Sequence, residues 1–270
     1  MIQELRDRLD LYFYWIHERE TIRLNKEVER NPQPWTDDPI LQKFKFCQVF
    51  REEDRTTRWF NFIETGRTLI RHNLHIEWDR KKAIEEITKQ DKWVTGAYIV
   101  KTPNRMDKVT GVAECISHMW SDREKLVERI LTTKSLEKSW EILRDYPYMG
   151  PFMAYEVITD LRHTYLLQDA EDILTWANAG PGAMRGLNRL AGRDLDFCRR
   201  THPWNDEMRN LWEISRERLN PNLIDLNRFE MREIEGGLCE FDKYSRILNE
   251  EGRTRSVYKY DENLPLIEDI

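Results

Sequence analysis

The chain has 270 residues, of which 34% are charged and 11% aromatic, and its formal net charge is −6. This length supports a substantial core in one large domain or two closely packed lobes, and the ten tryptophans argue against disorder. The acidic balance excludes simple electrostatic adhesion of the whole chain to nucleic acid, although a local basic groove is still allowed.

Hydrophobic periodicity predicts a mainly α-helical chain. The first helix is expected over 1–30, and the break at 31–34 contains two prolines. Its expected core side carries Leu5, Leu9, Tyr12, Phe13, Ile16 and Leu24. Later expected elements are an apolar-periodic segment at 39–60, helices near 65–75, 79–90, 110–120, 122–131 and 135–146, and one strand at 93–101. We expect a single catalytic domain over 1–252 and a polar tail over 253–270.

A glycine-centred hairpin is predicted at Gly150. Residues 135–146 have helical spacing, Pro151 suits the first turn of a new helix, and residues 152–162 continue the helical pattern. A glycine turn between helices can direct backbone N–H groups at a DNA phosphate, so Tyr148, Gly150 and Phe152 are candidate DNA contacts. The alternative is an ordinary helical hairpin with a glycine turn.

Asp172 lies 22 residues after Gly150 and begins a segment, 172–176, that looks like the start of a helix. A carboxylate at this distance from the hairpin can lie beside a nucleotide flipped out of DNA, which makes Asp172 a candidate catalytic residue. The alternative is that its side chain caps the helix that it begins.

A segment rich in glycine follows at 179–187. Three glycines, a proline and Arg185 within eight residues predict a loop whose amides approach an anion while the arginine binds that anion. The spacing matches neither a P-loop nor a dinucleotide-binding fingerprint. The interval between Lys138 and Lys243 contains arginines and no lysine, and Arg185 and Arg189 are its strongest candidates for phosphate contacts. The alternative for these arginines is pairing with nearby acids on helix surfaces.

The four cysteines are widely separated, and no pair has the spacing of a zinc or iron–sulfur site. No metal and no cofactor is therefore predicted. No signal peptide, lipid anchor or membrane span is visible, which predicts a cytosolic protein with reduced thiols and no membrane partner. The last strong helix is expected over 226–249, with a possible interruption at Gly236 and Gly237.

Three further clusters combine charged and aromatic residues. They lie at 19–23, at 34–59 and at 233–244. Each has a structural alternative: Arg19 and Arg23 can solvate a helix face, Trp35 can belong to the core, and Glu235, Glu240 and Lys243 can form helix ion pairs.

Together the motifs resemble one phage family. The ordered set PWTDDPIL, FCQVFREEDRTTRW, YMGPFMAYEVITDLRHT, WANAGPGAMRGLNRL and IEGGLCEFDKY is similar to the α-glutamyl/putrescinyl thymine pyrophosphorylases, also called amino acid:DNA transferases. That group is related to the helical domain fused to 5-hydroxymethyluracil DNA kinases and to the helix-hairpin-helix DNA glycosylases. The resemblance runs from about Arg19 to Tyr244.

The resemblance implies a glycosylase-like helical fold of two closely packed lobes, and chemistry on double-stranded phage DNA in the host cytoplasm. Members displace the phosphate or pyrophosphate of a phosphorylated 5-hydroxymethyl group on a thymine-derived base with an amino acid or another amine. The product protects phage DNA from host nucleases. The implied catalytic residues are Asp172 and Arg185, and Arg189 joins the hairpin tip as a DNA contact. The implied phosphate- or substrate-binding residues are Arg19, Arg23, Trp35, Thr36, Asp38, Arg51, Asp54, Arg55, Thr57, Arg58, Trp176, Asn178, Gly180, Gly182, Glu235, Glu240, Lys243 and Tyr244.

One departure from the glycosylases limits the alternatives. Glycosylase/lyases place a nucleophilic lysine two residues after the second hairpin glycine, and this chain has Phe152 there. Schiff-base chemistry at C1′ is therefore not expected. A monofunctional glycosylase that uses Asp172 and water, and a DNA-binding module without catalysis, stay as alternatives to the transferase.

Overall fold

The computed structural model describes residues 2–44, 76–89, 102–103 and 105–252. The predictions of a helix at 65–75, a strand at 93–101 and a polar tail at 253–270 lie outside these ranges, as does most of the apolar segment at 39–60.

Across these ranges the fold is helical, with nine α-helices and no strand, which confirms the mainly α prediction. The helices are α1 Ile2–Arg23, α2 Arg80–Thr88, α3 Lys108–Ser121, α4 Arg123–Thr133, α5 Leu136–Arg144, α6 Pro151–Leu161, α7 Pro181–Ala191, α8 Trp204–Arg218 and α9 Met231–Leu248. A π-helical turn, Leu24–Val28, extends α1, and short 3₁₀ turns occupy Leu41–Lys43 and Leu226–Arg228. The two-lobe arrangement and the resemblance to helix-hairpin-helix glycosylases stay predictions.

Local sequence signals explain where several helices begin. The side chains of Asp79, Asp107 and Ser135 each accept a hydrogen bond from a backbone N–H in the first turn of α2, α3 and α5. A reciprocal pair, Glu230 and Glu233, caps α9. These caps satisfy amides that have no partner within the helix.

The core forms where α1 packs against α9. Tyr12, Phe13 and Trp15 of α1 are buried, and the ring of Phe241 in α9 lies 5.2 Å from the ring of Tyr12 and 5.8 Å from that of Trp15. The predicted core side of the first helix included Tyr12 and Phe13 but missed Trp15 and Ile22, because α1 is buried over a wider arc than a single stripe.

The contact between α7 and α9 is very close, and two glycines permit it. A Cβ atom on Gly186 would lie 2.4 Å from the carbonyl oxygen of Leu238, and one on Gly182 would lie 2.4 Å from the sulfur of Cys239. The loop predicted at 179–187 is therefore wrong, because helix α7 begins at Pro181. Gly182 and Gly186 serve the approach of one helix to another.

Three other local predictions need correction. Residues 172–175 form hydrogen-bonded turns and not the start of a helix. The last helix begins at Met231 and continues without a break through Gly236 and Gly237. At the hairpin, the left-handed residue is Tyr148, with φ 63°, whereas Gly150 has φ −68° and begins α6 as its N-cap. The backbone conformation at position 150 therefore does not require a glycine.

Substitution of Gly186 by alanine is expected to lower the free energy of unfolding by ~1–3 kcal/mol, the usual cost of overpacking, because the new methyl group meets a backbone carbonyl that cannot rotate away. Chemical denaturation measures this change. The matched control is Gly236→Ala in α9, where a Cβ atom would meet nothing within 4 Å in the part of the chain that the structure describes. The free energy of unfolding of this control should rise by ~0.5–1 kcal/mol, which is the usual gain when alanine replaces a glycine in the interior of a helix. Equal effects of the two substitutions would contradict the close helix contact.

Candidate active site

The first turn of α7 lies against the side chain of Glu235 in α9. Gly180 is the N-cap of α7, and its N–H donates to Oε1 of Glu235 over 3.4 Å. Pro181 has no N–H, and Gly180, as a glycine, has no side chain that could cap the helix. Arg232 donates from Nη1 to Oε2 of Glu235 over 3.2 Å. The carboxyl of Glu235 therefore bridges a helix N-terminus and a guanidinium.

Burial gives Glu235 an unusual protonation equilibrium. The residue is 8% exposed, and burial raises the pKa of its carboxyl to about 7. Arg232 and the N–H of Gly180 oppose this rise in pKa, whereas the neighbouring Glu156 adds to it. A carboxyl that changes protonation near neutral pH can both accept and return a proton under physiological conditions.

The arginines predicted as phosphate ligands both contact Asp242 of α9, which is 1% exposed. Nε of Arg185 donates to Oδ2 over 3.0 Å, and Nε of Arg189 donates to Oδ1 over 2.8 Å. The two guanidiniums differ in their burial and in their other partners. Arg189 is largely buried and also donates from both Nη atoms to Glu251. Its protein partners favour a structural role over the predicted DNA contact, whereas Arg185 stays 38% exposed.

An aromatic group lies between the hairpin and the segment that precedes α7. The Trp176 ring is 5.8 Å from that of Trp140 and 5.7 Å from that of Tyr155. The indole N–H of Trp140 donates to the carbonyl of Pro151 over 2.9 Å, and Nδ2 of Asn178 reaches the same oxygen at 3.5 Å. The predicted residues Trp176 and Asn178 therefore connect the start of α6 to the approach to α7.

Asp172 caps a helix other than the one predicted for it. Its carboxylate accepts hydrogen bonds from the hydroxyl of Ser135 and from the backbone N–H groups of Leu136 and Glu137, at 2.7, 2.7 and 3.0 Å. These donors form the first turn of α5, so the negative charge lies at the positive end of that helix. This role explains the carboxylate without catalysis, and the catalytic role of Asp172 stays a prediction.

The hairpin tip is exposed. The relative accessibilities of Tyr148 and Phe152 are 41% and 48%, and a Cβ atom on Gly150 would meet no atom of the described residues within 4 Å. Neither backbone conformation nor packing requires glycine at this position. The tip is open to a large ligand, which is consistent with the predicted DNA contacts of these three residues.

A second group of predicted residues surrounds Asp38. One carboxylate oxygen accepts from the hydroxyls of Tyr14 and Tyr244, at 3.1 and 2.9 Å, and the other accepts two backbone N–H groups at the start of the 3₁₀ turn. Thr36 donates to Glu18 of α1 over 2.7 Å. The contact between Asp38 and Tyr244 brings together two motifs that lie 206 residues apart in the sequence.

The remaining predicted residues have structural partners or lie outside the described residues. Trp35 is buried and donates to the carbonyl of Asn31, Arg19 lies over the ring of Trp15, and Arg23 pairs with Glu20. Glu240 and Lys243 pair with each other on α9. The cluster Arg51, Asp54, Arg55, Thr57 and Arg58 lies outside the described residues.

Several residues at this site were missed by the sequence interpretation. Asp242, Cys239 and Arg232 lie in α9, and their helical spacing from Glu235 is the signal that could have placed them on its side of the helix. Tyr14 also was not predicted. Among the described residues, no group of three or more histidine, cysteine, aspartate or glutamate side chains is arranged to hold a metal ion. The described helices include none that is both long and apolar enough to cross a bilayer.

Comparison with known proteins identifies the family. The family model described as "5-hmdU DNA kinase, helical domain" matches residues 6–75 and 58–254, which together include the hairpin, α7 and α9. The chain belongs to this family. A 5-hmdU DNA kinase of Bacillus phage SP10 is 25% identical over 289 aligned residues, which cover 87% of this chain and 44% of the relative. The chain thus spans less than half the length of that relative. No solved structure matches the chain.

Replacement of Asp172 by asparagine is expected to lower the free energy of unfolding by ~1 kcal/mol, the typical value of a helix cap. The substitution keeps the side-chain size but removes the charge at the start of α5 and one of the two accepting oxygens. Denaturant titration measures the loss. Asp169→Asn is the matched control, because Asp169 is exposed and its carboxylate accepts only a long hydrogen bond, of 3.4 Å, from Gln168 among the described residues. Equal stability of the two variants would show that the cap contributes nothing.

The pH dependence of stability should reveal the environment of Glu235. Its pKa is raised from 4.5 to about 7 in the folded state, so the folded protein holds this proton more tightly than the unfolded chain does. The stability contributed by Glu235 is therefore fully present below pH 4.5 and is lost as the pH rises through about 7. The free energy of unfolding of the wild type, relative to Glu235→Gln, should fall by roughly 1–3 kcal/mol over that range. A difference that stays constant with pH, in parallel denaturant titrations, would contradict this assignment.

Proposed function

We propose that this chain replaces the phosphate, or pyrophosphate, of a phosphorylated 5-hydroxymethyl-deoxyuridine in phage DNA with an amino acid such as glycine or with another amine. The product would be a hypermodified thymidine that protects the DNA from host restriction. Family membership supports a role in phage DNA modification, because the matching relative is named as a kinase of 5-hmdU DNA. The amine transfer itself rests on the motif resemblance and on the chemistry of α7 and α9.

The observation that carries the proposal is the pairing of a buried carboxyl with a helix N-terminus and a nearby arginine. Glu235, with a pKa of about 7, accepts the N–H of Gly180 at the start of α7. Arg185 lies one to two turns further along α7. At 1.5 Å per residue, about 10 Å of α9 separates Glu235 from Asp242, the residue that holds Arg185. A proton acceptor and a cation for a leaving phosphate therefore share one helix pair.

The proposed reaction is a displacement at the methylene carbon attached to C5 of the base. The lone pair of the amine forms the new C–N bond while the C–O bond breaks, and the phosphate leaves with that electron pair. The attacking nitrogen then loses a proton to Glu235, which is the first candidate base, or to Asp172, which is the second. Arg185 is proposed to stabilise the charge of the departing phosphate, because within the described part of the chain only Nε of its guanidinium has a hydrogen-bond partner.

The DNA substrate is proposed to bind at the hairpin. Tyr148, Gly150 and Phe152 form an exposed tip that could contact the duplex while the modified base is turned out of the helix. Arg51, Arg55 and Arg58 stay proposed as further phosphate ligands from outside the described residues. The proposed partners are double-stranded DNA and an amine co-substrate, with no membrane partner, and the proposed location is the host cytoplasm.

The test incubates the protein with duplex DNA that contains 5-phosphomethyl-deoxyuridine and with pooled amino acids, and it identifies the nucleosides by mass spectrometry. An amino-linked thymidine is expected. Turnover should fall by ~10²–10⁴-fold in Glu235→Gln if this residue is the base, the usual loss for a general base, and DNA binding should be largely retained. Asp172→Asn in the same assay determines whether the second candidate acts instead.

Three outcomes would redirect the assignment. Abasic sites without an adduct would replace the transferase by a monofunctional glycosylase. Binding without any product in the presence of each amine would indicate a DNA-binding module. Normal turnover in both Glu235→Gln and Asp172→Asn would show that neither carboxyl is the base. The transferase assignment would then rest only on detection of the amino-linked thymidine.

A further inference from the structure

A buried carboxylate on α9 is surrounded by three guanidiniums. Asp242 receives Nε of Arg185 at 3.0 Å and Nε of Arg189 at 2.8 Å, and Nε of Arg246 lies 3.5 Å from the same oxygen that Arg185 contacts. Arg185 and Arg189 come from α7, whereas Arg246 comes from the last turn of α9 itself. A carboxylate with 1% exposure thus holds cations from two helices.

The charges in this group do not balance. Asp242 and Glu251 carry two negative charges, and three arginines face them. Glu251 accepts from both Nη atoms of Arg189, which lowers the pKa of its carboxyl, and the charge of Arg246 also lowers that pKa. Arg185 and Arg246 meanwhile face the same oxygen of Asp242. Two guanidiniums held this close repel each other unless another anion lies near them.

Arg185 and Arg246 also have N–H donors that no described residue accepts. Each faces Asp242 through Nε, and within the described residues neither has a hydrogen bond from an Nη atom. Their side chains are 38% and 41% exposed, so a ligand can reach them. Arg189, by contrast, is 9% exposed, and each of its three guanidinium nitrogens donates a hydrogen bond to a carboxylate. These are the features expected of an arginine with a structural role.

We propose that Arg185 and Arg246 form a two-armed binding site for a phosphate oxyanion, and that Asp242 is the positioning residue that holds both arms. Nε of Arg185 is fixed by its hydrogen bond to Asp242, whereas Nε of Arg246 is buried and is held near the same oxygen by charge, without a hydrogen bond. Guanidiniums anchored at this end direct their Nη donors away from Asp242, which suits the oxygens of a phosphate. The site rests on the proposed function for the source of its ligand, since that source is phosphorylated DNA. The phosphate belongs either to the modified base or to the DNA backbone.

The experiment measures equilibrium binding of two duplexes that differ only in one 5-phosphomethyl-deoxyuridine, over a series of salt concentrations. Arg185→Gln and Arg246→Gln are each expected to weaken binding about tenfold. The double variant should lose less than the product of the two single losses, because both arms hold one phosphate. The control is Arg209→Gln on α8, an arginine of similar exposure that pairs with Glu213.

The two sources of phosphate give different patterns. A loss confined to the phosphorylated duplex assigns the site to the phosphate on the base. An equal loss on both duplexes, with the salt slope reduced by ~0.9 for a lost contact, assigns it to the backbone. Losses no larger than that of Arg209→Gln on either duplex would overturn the site. Binding is measured without an amine, so a failure of transfer with intact phosphate binding contradicts the proposed function alone.

Asp242→Asn tests the positioning role, because the two explanations predict opposite signs. A merely positive patch should bind DNA more tightly when a negative charge is removed, as the control Glu213→Gln would show. A positioning carboxylate should instead weaken binding of the phosphorylated duplex when it is neutralised. Tighter binding by Asp242→Asn would overturn the positioning role.

A second variant keeps the test valid if Asp242→Asn does not fold, which its thermal transition reveals. Arg246→Lys keeps the charge on the exposed end of α9 but removes the Nε atom that faces Asp242 and the planar fork. We expect severalfold weaker binding of the duplex that supplies the phosphate. Wild-type affinity in this variant would mean that charge alone matters at this position, and would overturn the oriented site.

Discussion

The backbone contact between α7 and α9 is the constraint on which the site depends. Because Gly186 has no side chain, α7 approaches the carbonyl of Leu238 more closely than any residue with a Cβ atom would allow without a shift. This distance sets the N–H of Gly180 against Glu235 and brings Arg185 to Asp242. Hydrogen bonds of 3.0–3.4 Å would not survive a separation wider by one methyl group. The interface thus both packs two helices together and holds the residues of the candidate site in place.

The other contacts of α9 hold that helix in a fixed position. Its first turn is tied to α6 by a pair of hydrogen bonds between Arg162 and Glu230, and to the segment beside Asp172 by the N–H of Met231, which donates to the carbonyl of Ile173. Asp172 in turn holds the start of α5. The 172–173 segment therefore couples two helix starts, which accounts for a carboxylate there whatever its part in catalysis.

The periodicity of the sequence predicted the helical class and placed α2 to α6 close to their observed bounds, because each has a regular apolar stripe. The helices α2, α3 and α5 also begin with a side-chain cap. The motif resemblance, and not the periodicity, predicted Gly180, Gly182, Arg185 and Glu235 as site residues, and these four stay predictions for function although they all lie on α7 and α9 or at the start of α7. The sequence interpretation assigned these glycines to a loop around an anion, whereas Gly182 and Gly186 allow α7 to approach α9. The two roles cannot be told apart from sequence, because both require a residue without a side chain. The link from Asp172 to α5 and that from Arg189 to Asp242 are tertiary contacts across more than thirty residues, which no local pattern reveals.

Arg189 and Arg246 lie in the last turns of α7 and α9. The carboxyl end of a helix carries partial negative charge, so each guanidinium offsets the macrodipole of the helix to which it belongs. Both arginines also face the buried carboxylate of Asp242. Removal of either one therefore takes positive charge from a helix end and from a buried anion at once, which sets a stability cost on any variant that lacks it.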